Sequence, residues 1–151
     1  MTAHTYITNL AWEGSTGAGY RAYSRSHHAV AAPAEEIALS ADPHFRGESQ
    51  FLNPEQLLVM ACSSCQLLSF LAIAARNQID VVNYTDEARG FMSENVLPMC
   101  INRIELSPIV TVAAGTNHDL VRSLIESAHE ECYIANSLKS TVSINATVME
   151  A

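Results

Sequence analysis

The chain has 151 residues, 48% of them hydrophobic, which is enough apolar material for the core of a single domain over 1–151. Its 16 acidic against 8 basic residues give a net charge of −8. That balance argues against a nucleic-acid surface or an anionic membrane as partner, since both call for clustered cations. Residues 1–11 are mixed and polar, without the charged and apolar runs of a secretory leader, so the expected location is the cytoplasm. In that reducing compartment the four cysteines, at 62, 65, 100 and 132, read as structural thiols, metal ligands or redox centres.

Tyr6, Ile7, Leu10 and Trp12 have strand composition, and residues 14–19 are rich in turn formers. Residues 20–28 are expected as a second strand, with Arg21, Tyr23, Arg25 and His27 on one face. Residues 29–33 read as a connection, 36–40 as a third strand and 42–52 as a loop. Asn53, Pro54 and Gln56 then start a helix, because each satisfies or avoids one orphan amide of the first turn. To Ala75 this helix is almost wholly apolar or small, so it should be buried on most sides. Ser63, Ser64, Gln66 and Ser69 interrupt the run, which argues against a membrane span.

Residues 81–92 and 101–113 are expected as two strands of a hairpin, with Pro108 marking an edge, bend or bulge. Thr116 or Asn117 caps a second helix, in which Leu120, Val121, Leu124, Ile125, Ala128 and Cys132 form one buried stripe. Val142, Ile144, Ala146 and Val148 alternate with polar residues as a final half-buried strand. The order is three strands, long helix, two strands, second helix and last strand, an α+β fold.

A thiol reacts as its thiolate, so a catalytic cysteine needs a cation or amide cluster beside it. Cys65 lies about eleven residues into the helix, beyond reach of the terminal dipole. Arg21 and Arg25 are the candidate cations, and Glu55 is a carboxylate able to orient one of them. Glu55 and Cys65 stand roughly 15 Å apart along a straight helix, so both serve one site only if the helix breaks or Glu55 comes from a second subunit. The second arrangement is favoured, because a dimer also covers an apolar helix. Cys62 and Cys65 spell C-x-x-C, but in mid-helix rather than at a helix start, which leaves Cys62 as core packing and Cys100 as incidental. His129 and Cys132 with Cys65 are conceivable zinc ligands. On residues alone a redox thiol, a zinc site and a purely structural thiol stay open.

Asn53, Pro54, Glu55, Gln56 and Leu57 followed by Cys65, with Ala128, His129 and Cys132 far downstream, resemble the OsmC/Ohr family of osmotically inducible and organic hydroperoxide resistance proteins. The segments 23–27 and 131–137 are more similar to its OsmC-like branch, and Tyr133 stands where the best-studied members carry Pro. The resemblance implies an intertwined α+β homodimer in β-β-β-α-β-β-α-β order with two active sites at the subunit interface. It implies a thiol-dependent peroxidase that reduces organic hydroperoxides: Cys65 as the peroxidatic cysteine, Cys132 as the resolving one, Arg25 as the activating cation with Arg21 in reserve, and Glu55 as its partner. A dithiol reductant is implied, and no metal or cofactor. The alternative implied by the same branch is a stress-associated or small-ligand-binding protein with little peroxidase activity.

Overall fold

The computed structural model describes residues 3–151, which form two compact units, one ending at Leu57 and the other beginning at Leu58. In the first, β1 (Asn9–Ala11), β2 (His27–Val30) and β3 (Ile37–Leu39) make an antiparallel sheet in that order. The expected strand over 20–28 is not formed as such. Residues 20–23 turn, pairing begins only at His27, and the chain continues as strand through Val30, where a connection was expected. The cause is local. The Arg25 guanidinium folds back onto the carbonyls of Tyr23 and Tyr20, at 2.8 and 2.7 Å, which curls the segment and removes Arg21 and Arg25 from a common strand face. The loop before the helix closes tightly, and a Cβ on Gly47 would fall 1.5 Å from the Ala41 carbonyl oxygen, so only glycine fits there.

Helix α1 (Pro54–Arg76) starts as expected. The Asn53 Oδ1 accepts the Gln56 N–H at 2.8 Å, and the Gln56 Oε1 accepts the Asn53 N–H at 3.0 Å, a reciprocal capping box. By length and composition alone α1 could cross a membrane. In this fold it is a packed helix whose inner face buries Cys62, Gln66, Phe70, Ile73 and Ala74. The expectation of burial on most sides is not met within one chain. Met60, Leu68 and Leu71 are exposed at 44%, 63% and 37%, and with Ala61, Ala72 and Ala75 they form an apolar outer stripe.

Each strand expected after α1 is broken in two. Strands β4 (Val81–Asp86), β7 (Pro108–Val112) and β9 (Thr147–Glu150) form one sheet in the order β4-β7-β9. Strands β5 (Arg89–Met92), β6 (Ile101–Leu106) and β8 (Thr141–Ile144) form another in the order β5-β6-β8. The breaks fall at one level, since Asp86 faces Pro108 in one sheet while Arg89 faces Glu105 and Leu106 faces Ile144 in the other. The expected hairpin is present, bent across its width. Asp86 fixes the bend, its carboxylate accepting the Ser107 N–H at 2.7 Å and the Ser63 hydroxyl at 2.5 Å, while Pro108 has no N–H to offer.

Asn117 caps α2 (His118–Glu130), its Oδ1 accepting the N–H groups of Asp119 and Leu120. Val121, Leu124, Ile125 and Ala128 pack against Phe70, Ile73, Val110, Val112 and Val148, whereas Leu120, also expected in the buried stripe, is 39% exposed. Cys132 is not the last residue of this helix. Helix α2 ends at Glu130, and Cys132 becomes the N-cap of a separate short helix α3 (Tyr133–Ser137). The Asn136 side-chain amide donates to the carbonyls of Glu130 and Cys132 and holds the corner between the two helices.

Candidate thiol site

Cys65 projects from the middle of α1 and is half-buried, while Cys132 is 1% exposed at the start of α3. The two thiols are neighbours, the Cys65 side chain being one of the groups that perturb the Cys132 thiol. The Cys132 sulfur also accepts the Ala135 N–H at 3.5 Å, the capping bond of α3. Burial pushes the Cys132 thiol up, the Ala135 amide partly offsets this, and the neighbouring Cys65 thiol adds to the rise. No disulfide joins them. A long core helix and the cap of a short one have thus brought together residues far apart in sequence.

Cys62 lies one turn before Cys65, fully buried with Ile104 and Leu106. Burial, followed by the neighbouring Cys132, Cys65 and Asp86, pushes its thiol up to about 11. Cys100 is exposed. Among the described residues no three His, Cys, Asp or Glu side chains converge as a metal site, and the buried Nδ1 of His129 has no partner.

Arg25 sits in the first unit inside an aromatic cage, 4.0 Å from the Tyr23 ring centroid and 4.9 Å from that of Tyr20. Its own carbonyl binds the His27 ring at 2.8 Å. A cavity of about 420 Å³ opens beside it, walled by Leu10, Trp12, Tyr23 and Pro54 with His27 at its edge. Trp12 meets Tyr23 edge to face and donates its indole N–H to the Ser24 carbonyl at 2.9 Å. Glu55 is half-buried in the first turn of α1 and makes no ion pair among the described residues; the Arg25 guanidinium takes backbone carbonyls in its place. Arg21 is exposed in the turn. Sequence reasoning missed Tyr20 and Trp12 as supports of Arg25. The signal available was an aromatic residue on each side of the glycine-rich turn.

A family model described as OsmC-like protein matches residues 47–147. The chain belongs to the OsmC-like family. An OsmC-like protein of unknown function from Vibrio cholerae has the same fold at a TM-score of 0.88 and 27% identity, covering 96% of this chain and 100% of its own. An organic hydroperoxide resistance protein from Elizabethkingia anophelis superposes at 0.72 with 19% identity, covering 99% of both chains. One from Legionella pneumophila, named OsmC and a predicted redox protein, superposes at 0.70 with 16% identity over 99% of both. No curated protein matches by sequence. The α+β OsmC/Ohr fold implied by the resemblance is therefore the fold of this chain.

Proposed function

We propose that this OsmC-like protein is a thiol-dependent peroxidase for organic hydroperoxides, with Cys65 as peroxidatic and Cys132 as resolving cysteine. The observation that carries the reading is the proximity of the two thiols, since a sulfenic acid is captured only by a thiol already within reach. The Cys65 thiolate attacks the distal peroxide oxygen. The O–O bond breaks, the alkoxide takes a proton and leaves as alcohol, and Cys65 carries S–OH. The Cys132 sulfur then attacks the Cys65 sulfur, water leaves with the Cys132 proton, and a disulfide forms. A dithiol reductant restores both thiols by two exchange steps and is itself oxidised to a disulfide.

Arg25 is the proposed cation for the thiolate and the peroxide. Glu55 is its proposed partner. Helix α1 runs unbroken from Pro54 to Arg76, so Glu55 and Cys65 of one chain stay about 15 Å apart. The reading accordingly takes Glu55 from a second copy, in a cytoplasmic homodimer. Several relatives of the same fold are named as organic hydroperoxide resistance proteins, which agrees with this chemistry.

One equivalent of an organic hydroperoxide is expected to remove two hydrogen atoms from the chain, as a Cys65–Cys132 link that a dithiol reverses. Steady-state turnover with dihydrolipoamide should be faster with the organic peroxide than with hydrogen peroxide and vanish in Cys65→Ser. Thiols that stay free through the treatment would end the peroxidase reading.

A further inference from the structure

Cys62 is a nucleophile the proposed cycle does not use. It is 0% exposed and lies on α1 three residues before Cys65, the spacing at which helix side chains are neighbours, with Cβ atoms about 5–6 Å apart. Ile134, Ala135 and Leu138 close over the cluster that holds it. The same Ala135 binds the Cys132 sulfur through its N–H. Two sulfurs from successive turns of α1 and one from the cap of α3 are therefore neighbours.

We propose that Cys62 is a second resolving thiol, which condenses with a sulfenic acid on Cys65 when Cys132 is not available. This rests on the peroxidase reading, which supplies the sulfenic acid. The Cys62 S–H bond breaks, its sulfur attacks the Cys65 sulfur, the S–O bond breaks and the hydroxyl leaves as water with the Cys62 proton. A Cys62–Cys65 disulfide results, and the hydroperoxide that made the sulfenic acid is the only oxidant consumed. A disulfide brings its Cβ atoms to about 3.5–4.5 Å, so one turn of α1 tightens by about 1–2 Å. The 3-10 geometry, in which positions three apart eclipse, provides that approach. With its thiol held up to about 11, Cys62 has a small thiolate fraction near neutrality that grows about tenfold per pH unit. This branch is slower than the Cys132 branch at neutral pH and quickens with pH. It spares Cys65 from further oxidation to the irreversible sulfinic acid.

The test uses the full chain carrying Cys100→Ser and Cys132→Ser, oxidised with one equivalent of cumene hydroperoxide in the presence of dimedone, then alkylated and mapped by mass. The peptide holding both Cys62 and Cys65 is expected to have lost two hydrogen atoms, reversibly by dithiol, with the rate rising about tenfold from pH 7 to 8. Adding Cys62→Ala should replace that species by the dimedone adduct or the sulfinic acid at Cys65. Dimedone-labelled Cys65 beside alkylated Cys62 in the Cys132→Ser chain would overturn the proposal while leaving the peroxidase reading intact. A Cys65 that cumene hydroperoxide does not oxidise in any of these chains, wild type included, would overturn both.

Discussion

At Cys62 a burial effect becomes a stability effect. The thiol keeps its proton in the folded chain up to about pH 11, whereas the ordinary value of 9.0 applies once the chain is unfolded. Above pH 9 the unfolded chain therefore binds fewer protons than the folded one. The stabilisation is complete below that pH and declines as pH rises toward 11, by about 2–3 kcal/mol in all. Cys132, displaced in the same direction, adds to the decline. Urea unfolding midpoints followed from about pH 8 to 10.5 should fall more steeply for the wild type than for Cys62→Ala. Equal slopes would mean that water reaches Cys62 in the folded chain.

Among the elements, α1 owes its start to one reciprocal pair of side chains. Asn53 is 6% exposed, so Asn53→Ala removes an acceptor that no solvent replaces, and the expected loss is about 1–2 kcal/mol of unfolding free energy. Gln56→Ala should cost less, because the Asn53 cap bond to the residue 56 amide survives it; chemical denaturation of both variants makes the comparison. This start was legible in the sequence because capping depends on residue type within four positions. The stripe of α2 was legible for the same reason, being a period that needs no partner to define it. The three broken strands were not, since the break depends on Asp86 reaching Ser107 and Ser63, and neither residue announces that contact. Pro108 signalled the bend on one strand only. Residues 20–28 misled because Tyr and His suit a strand by composition, while the turn comes from a guanidinium captured by two carbonyls. Helix α3 was hidden by Cys132, whose spacing completes the stripe of α2 although its backbone is already extended, with φ −67° and ψ 109°. Tyr133 is the first residue of α3, a position that proline also suits, so the Pro of the best-studied relatives is compatible with the same corner.

For the molecule as a whole, the exposed stripe of α1 is the feature that a second copy would cover. An apolar row of this length on a lone surface is unusual in a chain that stays monomeric. Leu68→Lys is expected to shift the sedimentation coefficient from dimer to monomer, and with it to abolish peroxide turnover, since Glu55 would no longer come from a neighbour. A wild-type chain that sediments as a monomer at micromolar concentration would remove the homodimer, and the shared site with it.

The aligned bend across the sheets carries a consequence for chain length. Side chains alternate from residue to residue, and Val110 and Val112 face the core because Ser107 uses up one position at the corner. Deleting Ser107 puts everything downstream in that strand out of phase: Ile109 and Thr111 would turn inward while the two valines turned out to water. The corner is thus a counted step as well as a change of direction, and natural variation in length would be confined to the turns on either side of it.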